Sequence, residues 1–333
     1  MTQETLLLFC NVSQPPYCNN LIPPVRAFQK TFRTTVVEPA EARGFVSTGG
    51  ARPALIPDEA VFHAVAQPPD VVVCIGGGLH FSERARRSFP RATPLVGFAL
   101  SDPYGLDASL EIAPEFDLFY TQDPQTLPEY ARHGIRARRC DPATDPELYF
   151  PASGEPDCDV VFYGKWTPYR DALAAALAPH LRLRLHAYAG ETRWSVPVHP
   201  PLDTPEALRA GLTRSRLALE TALLDDAEGR YAGTFRITPR VPFAASCGVP
   251  VLVESFDGLA DFLAVGTEVA TFTSAADVAA AAKSVLADER SRRAMAGSAR
   301  QRVLRDHTWD RRVASLMADL REWRAGAPVR SPR

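Results

Sequence analysis

The chain is 333 residues long, 46% hydrophobic and carries a formal net charge of −2. That length supports two α/β domains of ordinary size, each with its own core, and the near-neutral charge argues against nucleic acid as a partner. No run approaches the roughly 20 apolar residues of a membrane span, and Met1–Cys10 reads as a first strand without the basic region of a secretion signal, so a cytoplasmic location is expected. Six cysteines (Cys10, Cys18, Cys74, Cys140, Cys158, Cys247) are scattered without a Cys-x-x-Cys pair, which predicts buried reduced thiols rather than disulfides or a metal centre.

Taken in chain order, short apolar runs at Leu6–Cys10, Thr35–Glu38, Val71–Ile75, Leu95–Leu100 and Leu118–Thr121 are predicted strands bounded by turn residues. Helical stretches such as Pro57–Ala66 and Pro124–His133 lie between them. Strands separated by helices imply a parallel sheet covered on both faces. The alternation pauses at Asp141–Pro151, a Pro- and Asp-rich stretch that resembles an interdomain linker. A second series then follows: strand Asp159–Tyr163, helix Tyr169–Leu177, strand Leu181–Tyr188, helix Pro205–Thr213 and strand Arg216–Thr221. After a helix near Thr238 come strand Pro250–Val253, a helix near Leu259–Leu263, strand Val269–Phe272 and three helical stretches between Ala275 and Arg324. No repeat of 20 to 50 residues is visible. The expected architecture is α/β, with two doubly wound Rossmann-like domains facing across a cleft: residues 1–150, residues 151–310, and a C-terminal helix and tail over 311–333 that packs back toward the first domain.

Thr238 to Val253 is the most informative stretch. Thr238 suits an N-cap, Pro239 the first helical position, Gly248 the residue past the helix end, and Pro250 prevents continuation into the strand that follows. A helix opening on Thr-Pro-Arg combines backbone N–H donors, a positive dipole end and the Arg240 guanidinium, which suits a phosphate or diphosphate. The plainer alternative is an ordinary α/β helix whose arginine is solvated.

Other residues sit at comparable places. Gly164 and Lys165 follow the first strand of the second series, with Arg170 one turn into the next helix; phosphates are often held at such turns. Gly76, Gly77 and Gly78 follow the strand ending at Ile75 and allow close backbone approach by a ligand, with His80 just beyond. The triplet lacks the Gly-x-Gly-x-x-Gly spacing and follows the third strand rather than the first, which argues against a nicotinamide-dependent dehydrogenase. His80 serves equally as a satisfied structural histidine. Asp102, at the carboxyl end of a strand and before Pro103, is a candidate general base for an acceptor hydroxyl, or equally a cap for the next turn. Arginine supplies almost all the positive charge, the only lysines being Lys30, Lys165 and Lys283. The arginines at 290, 292, 293, 300, 302, 305, 311 and 312 read as a solvated helix face or, as the minority reading, a contact with an anionic membrane surface.

The segments PDVVVCIGG, SDP, FDLFYTQD, ATDPELYFP, CDVVFYGKW and TPRVPFAASCGVPVL, in this order and spacing, resemble the glycosyltransferases related to the spore-maturation protein CgeB. These are similar in turn to the group 1 glycosyltransferases of GT-B fold. The likeness runs from about Pro69 to Val313 and includes HTWDRR near its end. It implies transfer of a hexosyl-type sugar from a nucleotide diphosphate sugar to an unidentified acceptor, with retaining and inverting outcomes both open. By position, Arg240 and the helix N-terminus at Thr238 would hold the diphosphate, Gly164, Lys165 and Arg170 would line its other side, and Arg236 would also be a substrate-binding residue. Tyr188 and Gly190 would lie near the base, and the first domain, with Gly77, Gly78, His80 and Asp102, would receive the acceptor. No cofactor and no metal are implied, and the chain offers no Asp-x-Asp motif. One departure stands out: group 1 members place glutamates where this chain has Phe235 and Phe243, and a glutamate there commonly serves the donor ribose or sugar. Two other readings stay open, namely an epimerase or hydrolase of the same fold and a non-catalytic binding protein on a decayed transferase scaffold.

Overall fold

The computed structural model describes residues 3–12, 18–39, 54–65, 67–76, 79–221 and 236–326. The chain divides into two compact units. The first takes the residues up to Asp141, apart from a short piece ending at Asn19, together with the stretch from Trp309 onward; the second takes Pro142–Thr308 and that short piece.

The first unit contains strands β1 (Thr5–Phe9), β2 (Arg33–Val37), β3 (Ala54–Ile56), β4 (Val71–Ile75), β5 (Leu79–Phe81), β6 (Leu95–Ala99), β7 (Leu118–Thr121) and β8 (Ala137–Arg139). Six of them form one sheet in the order β2-β1-β4-β6-β7-β8, and β3 pairs separately with β5. Every pairing is parallel. Parallel sheets are covered on both faces, so their central strands are apolar at consecutive positions instead of alternating. Accordingly, β4 and β6 are buried at each residue. The closing helix Trp309–Gly326 belongs to this unit. Trp309 meets Phe98 edge to face, Asp319 accepts a 2.5 Å hydrogen bond from the Tyr120 hydroxyl and pairs with Arg138, and Arg324 pairs with Glu4 at 2.7 Å.

The second unit contains β9 (Cys158–Gly164), β10 (Leu183–Ala187), β11 (Val198–His199), β12 (Ser215–Glu220), β13 (Val251–Glu254) and β14 (Ala270–Phe272). They form a parallel sheet in the order β11-β10-β9-β12-β13-β14. The first strand is central and the order reverses between β9 and β12, which defines the doubly wound arrangement and its switch point. One apolar cluster, with Val161, Ala218, Phe243 and Val251, covers one face, and another, with Phe162, Leu173, Leu219 and Leu252, covers the other. Two helices of this unit begin at Thr-Pro. Thr167 Oγ1 accepts from the Arg170 amide at 3.1 Å ahead of Pro168–Leu177, and Thr204 Oγ1 accepts from the Ala207 amide at 3.2 Å ahead of Pro205–Thr213.

Several expectations shift in detail. The chain crosses between units at Asp141/Pro142 and returns at Thr308/Trp309, both earlier than the boundaries read from composition. Most of the Pro- and Asp-rich stretch is not a free spacer. Tyr149 is fully buried, stacks on Phe243 at 4.1 Å and accepts a 2.5 Å hydrogen bond at its carbonyl from the Ser246 hydroxyl, which ties the segment to the core of the second unit. The expected helix near Leu259–Leu263 is a run of turns in which the Leu259 carbonyl accepts from the Phe262 and Leu263 amides without a helix continuing. An apolar spacing that spans a single turn reads the same for both, and so short a segment does not offset helix nucleation. The helix expected over Pro124–His133 splits into a 3-10 turn, Pro124–Thr126, and a helix, Leu127–Arg132. Cys10, Cys74, Cys140, Cys158 and Cys247 are buried and unpaired, and burial pushes thiols such as Cys158 and Cys247 up, to about 11 and about 12. Among the described residues, no helix is long and apolar enough to cross a membrane.

Candidate functional site

Two guanidinium groups converge on Gly164, the last residue of β9. Its φ of +151° lies in a region that favours glycine, and a Cβ there would stand 2.7 Å from Arg240 Nη1 and 3.9 Å from Arg170 Nη1. This is the carboxyl edge of the sheet beside the β9/β12 switch point, where doubly wound sheets bind ligands. Two like charges at such a spot repel unless each is compensated. Arg170 is 8% exposed and anchored by hydrogen bonds from Nε to Thr221 Oγ1 at 3.0 Å and from Nη1 to the Lys165 carbonyl at 3.2 Å. Arg240 is held by Glu220 Oε2, 2.7 Å from its Nε, and by the Tyr163 carbonyl, 2.9 Å from its Nη1. Its guanidinium carbon also lies 5.1 Å from the centre of the Tyr163 ring, within cation–π range.

Glu220 is the residue that sequence reasoning missed. It closes β12, is 1% exposed, and its carboxyl is pushed above the usual range by burial, against the pull of Arg240 and of the Thr238 hydroxyl. A signal was available, since Leu217-Ala218-Leu219-Glu220 ends an apolar strand in an acid at a switch point, and buried acids are rare unless paired.

Thr238 departs from its expected role. Its Oγ1 donates to Glu220 Oε2 at 3.3 Å, and the helix begins at Arg240, with Pro239 at the cap and no side-chain cap bond. The helix is seven residues long, so the positive charge here comes from side chains and not from a capped helix end. Lys165 is exposed next to Gly164, and Arg236 is half-buried ahead of Thr238. Tyr188 follows Ala187, which pairs in register with Gly164, and Gly190 turns the chain at φ +81°. The structure therefore gathers Gly164, Arg170, Thr238 and Arg240 around Glu220, with Lys165 and Tyr188 adjoining in sequence and register. Phe235 lies outside the described residues. Phe243 is fully buried against Tyr149, so this position is apolar core in the chain.

The remaining candidates belong to the first unit. Gly77 and Gly78 lie outside the described residues. Gly76 follows β4 at φ +109°, and His80 sits in β5 with Nδ1 3.9 Å from Glu115 Oε1. Asp102 has no exposed surface. Its Oδ2 accepts from the Thr121 and Tyr130 hydroxyls, each at 2.7 Å, and its Oδ1 from the Ser109 hydroxyl at 3.2 Å. A general base needs access to its acceptor, and this carboxylate is turned into the core, where it anchors the loop after β6. The C-terminal arginines are largely occupied within their own units. Arg293 pairs with Glu289, Arg302 and Arg305 with Asp306, and Arg292, Arg300 and Arg312 donate to the backbone carbonyls of Arg216, Ser246 and Asp141.

Two predictions follow from this geometry. Burial raises the Asp102 pKa to about 6, so the native state holds that proton more tightly than the unfolded chain, and the associated stability is complete below about pH 4 and lost as pH rises through 6. Denaturant unfolding of Asp102→Asn and the parent across pH 4 to 7 should therefore show the parent losing up to about 3 kcal/mol relative to the variant; parallel curves would contradict the raised ionisation. Gly164→Ala should displace the Arg240 guanidinium and strain the backbone, lowering stability by about 1–3 kcal/mol in the same assay, and an unchanged midpoint would contradict the close approach.

A protein-family model described as "Glycosyl transferase-like" matches residues 168–318, which contain most of the second unit and part of the closing helix. No curated protein matches the chain. Sucrose-phosphate synthase from Thermosynechococcus elongatus is similar in structure, with a TM-score of 0.68 at 12% identity, covering 97% of this chain and 100% of that one. HepE from Anabaena, in complex with UDP and glucose, has a TM-score of 0.63 at 13% identity over 95% of this chain and 100% of its own. AviGT4, a glycosyltransferase involved in avilamycin A biosynthesis, has a TM-score of 0.59 at 16% identity, over 97% and 99%. The chain thus has the two-domain Rossmann-like α/β fold of the GT-B glycosyltransferases.

Proposed function

We propose that this protein is a GT-B glycosyltransferase that moves a hexosyl-type sugar from a nucleotide diphosphate sugar to an acceptor. The observation that carries the reading is the convergence of the Arg170 and Arg240 guanidinia on the side-chain-free end of β9. A departing nucleoside diphosphate develops negative charge as the bond to the sugar breaks, and fixed cationic donors in a water-poor site lower the barrier to that step. Arginine suits the task because its planar fork matches two phosphate oxygens at once. On this reading the two arginines supply the charge without a metal or cofactor. Tyr188 and Gly190, just after β10, border the nucleoside. The likeness to the "Glycosyl transferase-like" family and the UDP and glucose held by HepE support a nucleotide-sugar donor. The motif residues quoted above favour the CgeB-related branch, and a cytoplasmic location belongs to the same reading.

Calorimetric titration with UDP, GDP, ADP, TDP and CDP tests the proposal, followed by product analysis with the matching nucleotide sugar. Selective binding of one nucleotide is expected, and binding of none would contradict it. Arg240→Ala would strand the buried Glu220 without its counter-charge, so Arg240→Lys is the cleaner probe. Losing the fork should weaken nucleotide binding by about 1.5–3 kcal/mol, the scale of a hydrogen bond to a charged group. Unchanged affinity in the folded variant would remove Arg240 from the site. Release of free sugar without an acceptor would point to a hydrolase.

A further inference from the structure

We propose that Glu220 is a positioning residue that fixes the Arg240 guanidinium in the orientation in which it receives the donor diphosphate; the inference rests on the nucleotide-sugar reading above. An arginine side chain has rotamer entropy to lose before it makes a directed contact. Arg240 is ordered before any ligand arrives. Glu220 Oε2 takes its Nε at 2.7 Å and the Tyr163 carbonyl takes its Nη1 at 2.9 Å. Two contacts on different nitrogens of one rigid plane fix both the position and the tilt of that plane. The anchors come from adjacent strands in register: β12 runs beside β9 with Leu219 opposite Phe162, which places Glu220 level with Tyr163.

Glu220 is itself held. It is 1% exposed, and the Thr238 hydroxyl donates to the same oxygen that binds Arg240. Pro239, not Thr238, is the cap of the helix that begins at Arg240, and no side chain caps it, although Thr167 and Thr204 cap theirs. The geometry also separates two tasks. Glu220 holds Nε and the Tyr163 carbonyl holds Nη1, so Arg240 meets a diphosphate in a set direction, while Arg170 and Lys165 add positive charge beside it.

Nucleotide titration and steady-state kinetics on Glu220→Gln, Glu220→Asp and Glu220→Ala test the proposal, with UDP, GDP, ADP, TDP and CDP as probes. The glutamine amide oxygen still accepts from Nε. The aspartate keeps the charge but is one methylene short, and the alanine removes the anchor. The proposal expects Glu220→Ala and Glu220→Asp to bind nucleotide about tenfold or more weakly, with the loss appearing as raised donor KM, and Glu220→Gln to stay within about threefold of the parent. Folded Glu220→Ala or Glu220→Asp protein with parental affinity would overturn it, as would a glutamine variant as weak as the alanine. Should the alanine variant fail to fold, the aspartate and glutamine pair still decides. Failure of the parent protein to bind any of the five probes would count against the nucleotide-sugar reading itself, whereas parental binding with indifferent Glu220 variants would defeat only this inference.

Discussion

The site depends on the buried pairing of Glu220 with Arg240. Two guanidinia stand close to the same glycine, and like charges gathered at a partly desolvated spot repel unless they are compensated. One of them is offset by a carboxylate on the neighbouring strand, and the other is held by a threonine hydroxyl and a backbone carbonyl. Removing one partner of such a pair costs about 3–5 kcal/mol because the other charge is left buried and uncompensated. The pair therefore belongs both to the stability of the second unit and to its chemistry.

The doubly wound sheet places this pair at the β9/β12 switch point. At that edge the connections from neighbouring strands leave toward opposite faces, so Arg170 arrives from the helix after β9 and Arg240 from the helix before β13. Gly164 lets both approach. A side chain at that position would occupy the space where Arg240 Nη1 lies.

Much of this was legible in the sequence. The alternation of β-rich runs with helical stretches identified both sheets, because a parallel sheet buried on two faces leaves uninterrupted apolar segments such as Val71–Ile75. Gly164 at a strand end, Arg170 one turn into the next helix and Arg240 at a helix start each suit a phosphate, and the family resemblance implies that they share one. Glu220 was not legible, because its partner lies beyond a segment whose length hides the pairing, and register between β12 and β9 is a tertiary fact. The same cause redirected Thr238. Its local sequence matches that of Thr167 and Thr204, whose hydroxyl oxygens accept from backbone N–H groups, yet its hydroxyl is turned to donate to a buried carboxylate on the neighbouring strand. Asp102 illustrates the converse. A strand-end acid before proline reads alike as a base or an anchor, and only the Thr121, Tyr130 and Ser109 hydroxyls around it distinguish the two. The Leu259–Leu263 turns and the bound Tyr149 show that boundaries follow packing as much as composition.

The most direct test of the central claim is a crystal structure of the protein with the nucleoside diphosphate that it binds. The account predicts phosphate oxygens within hydrogen-bonding distance of the Arg170 and Arg240 guanidinia, beside Gly164, with the Glu220–Arg240 pair intact. A diphosphate seated elsewhere, with both guanidinia still committed to their protein partners, would contradict it.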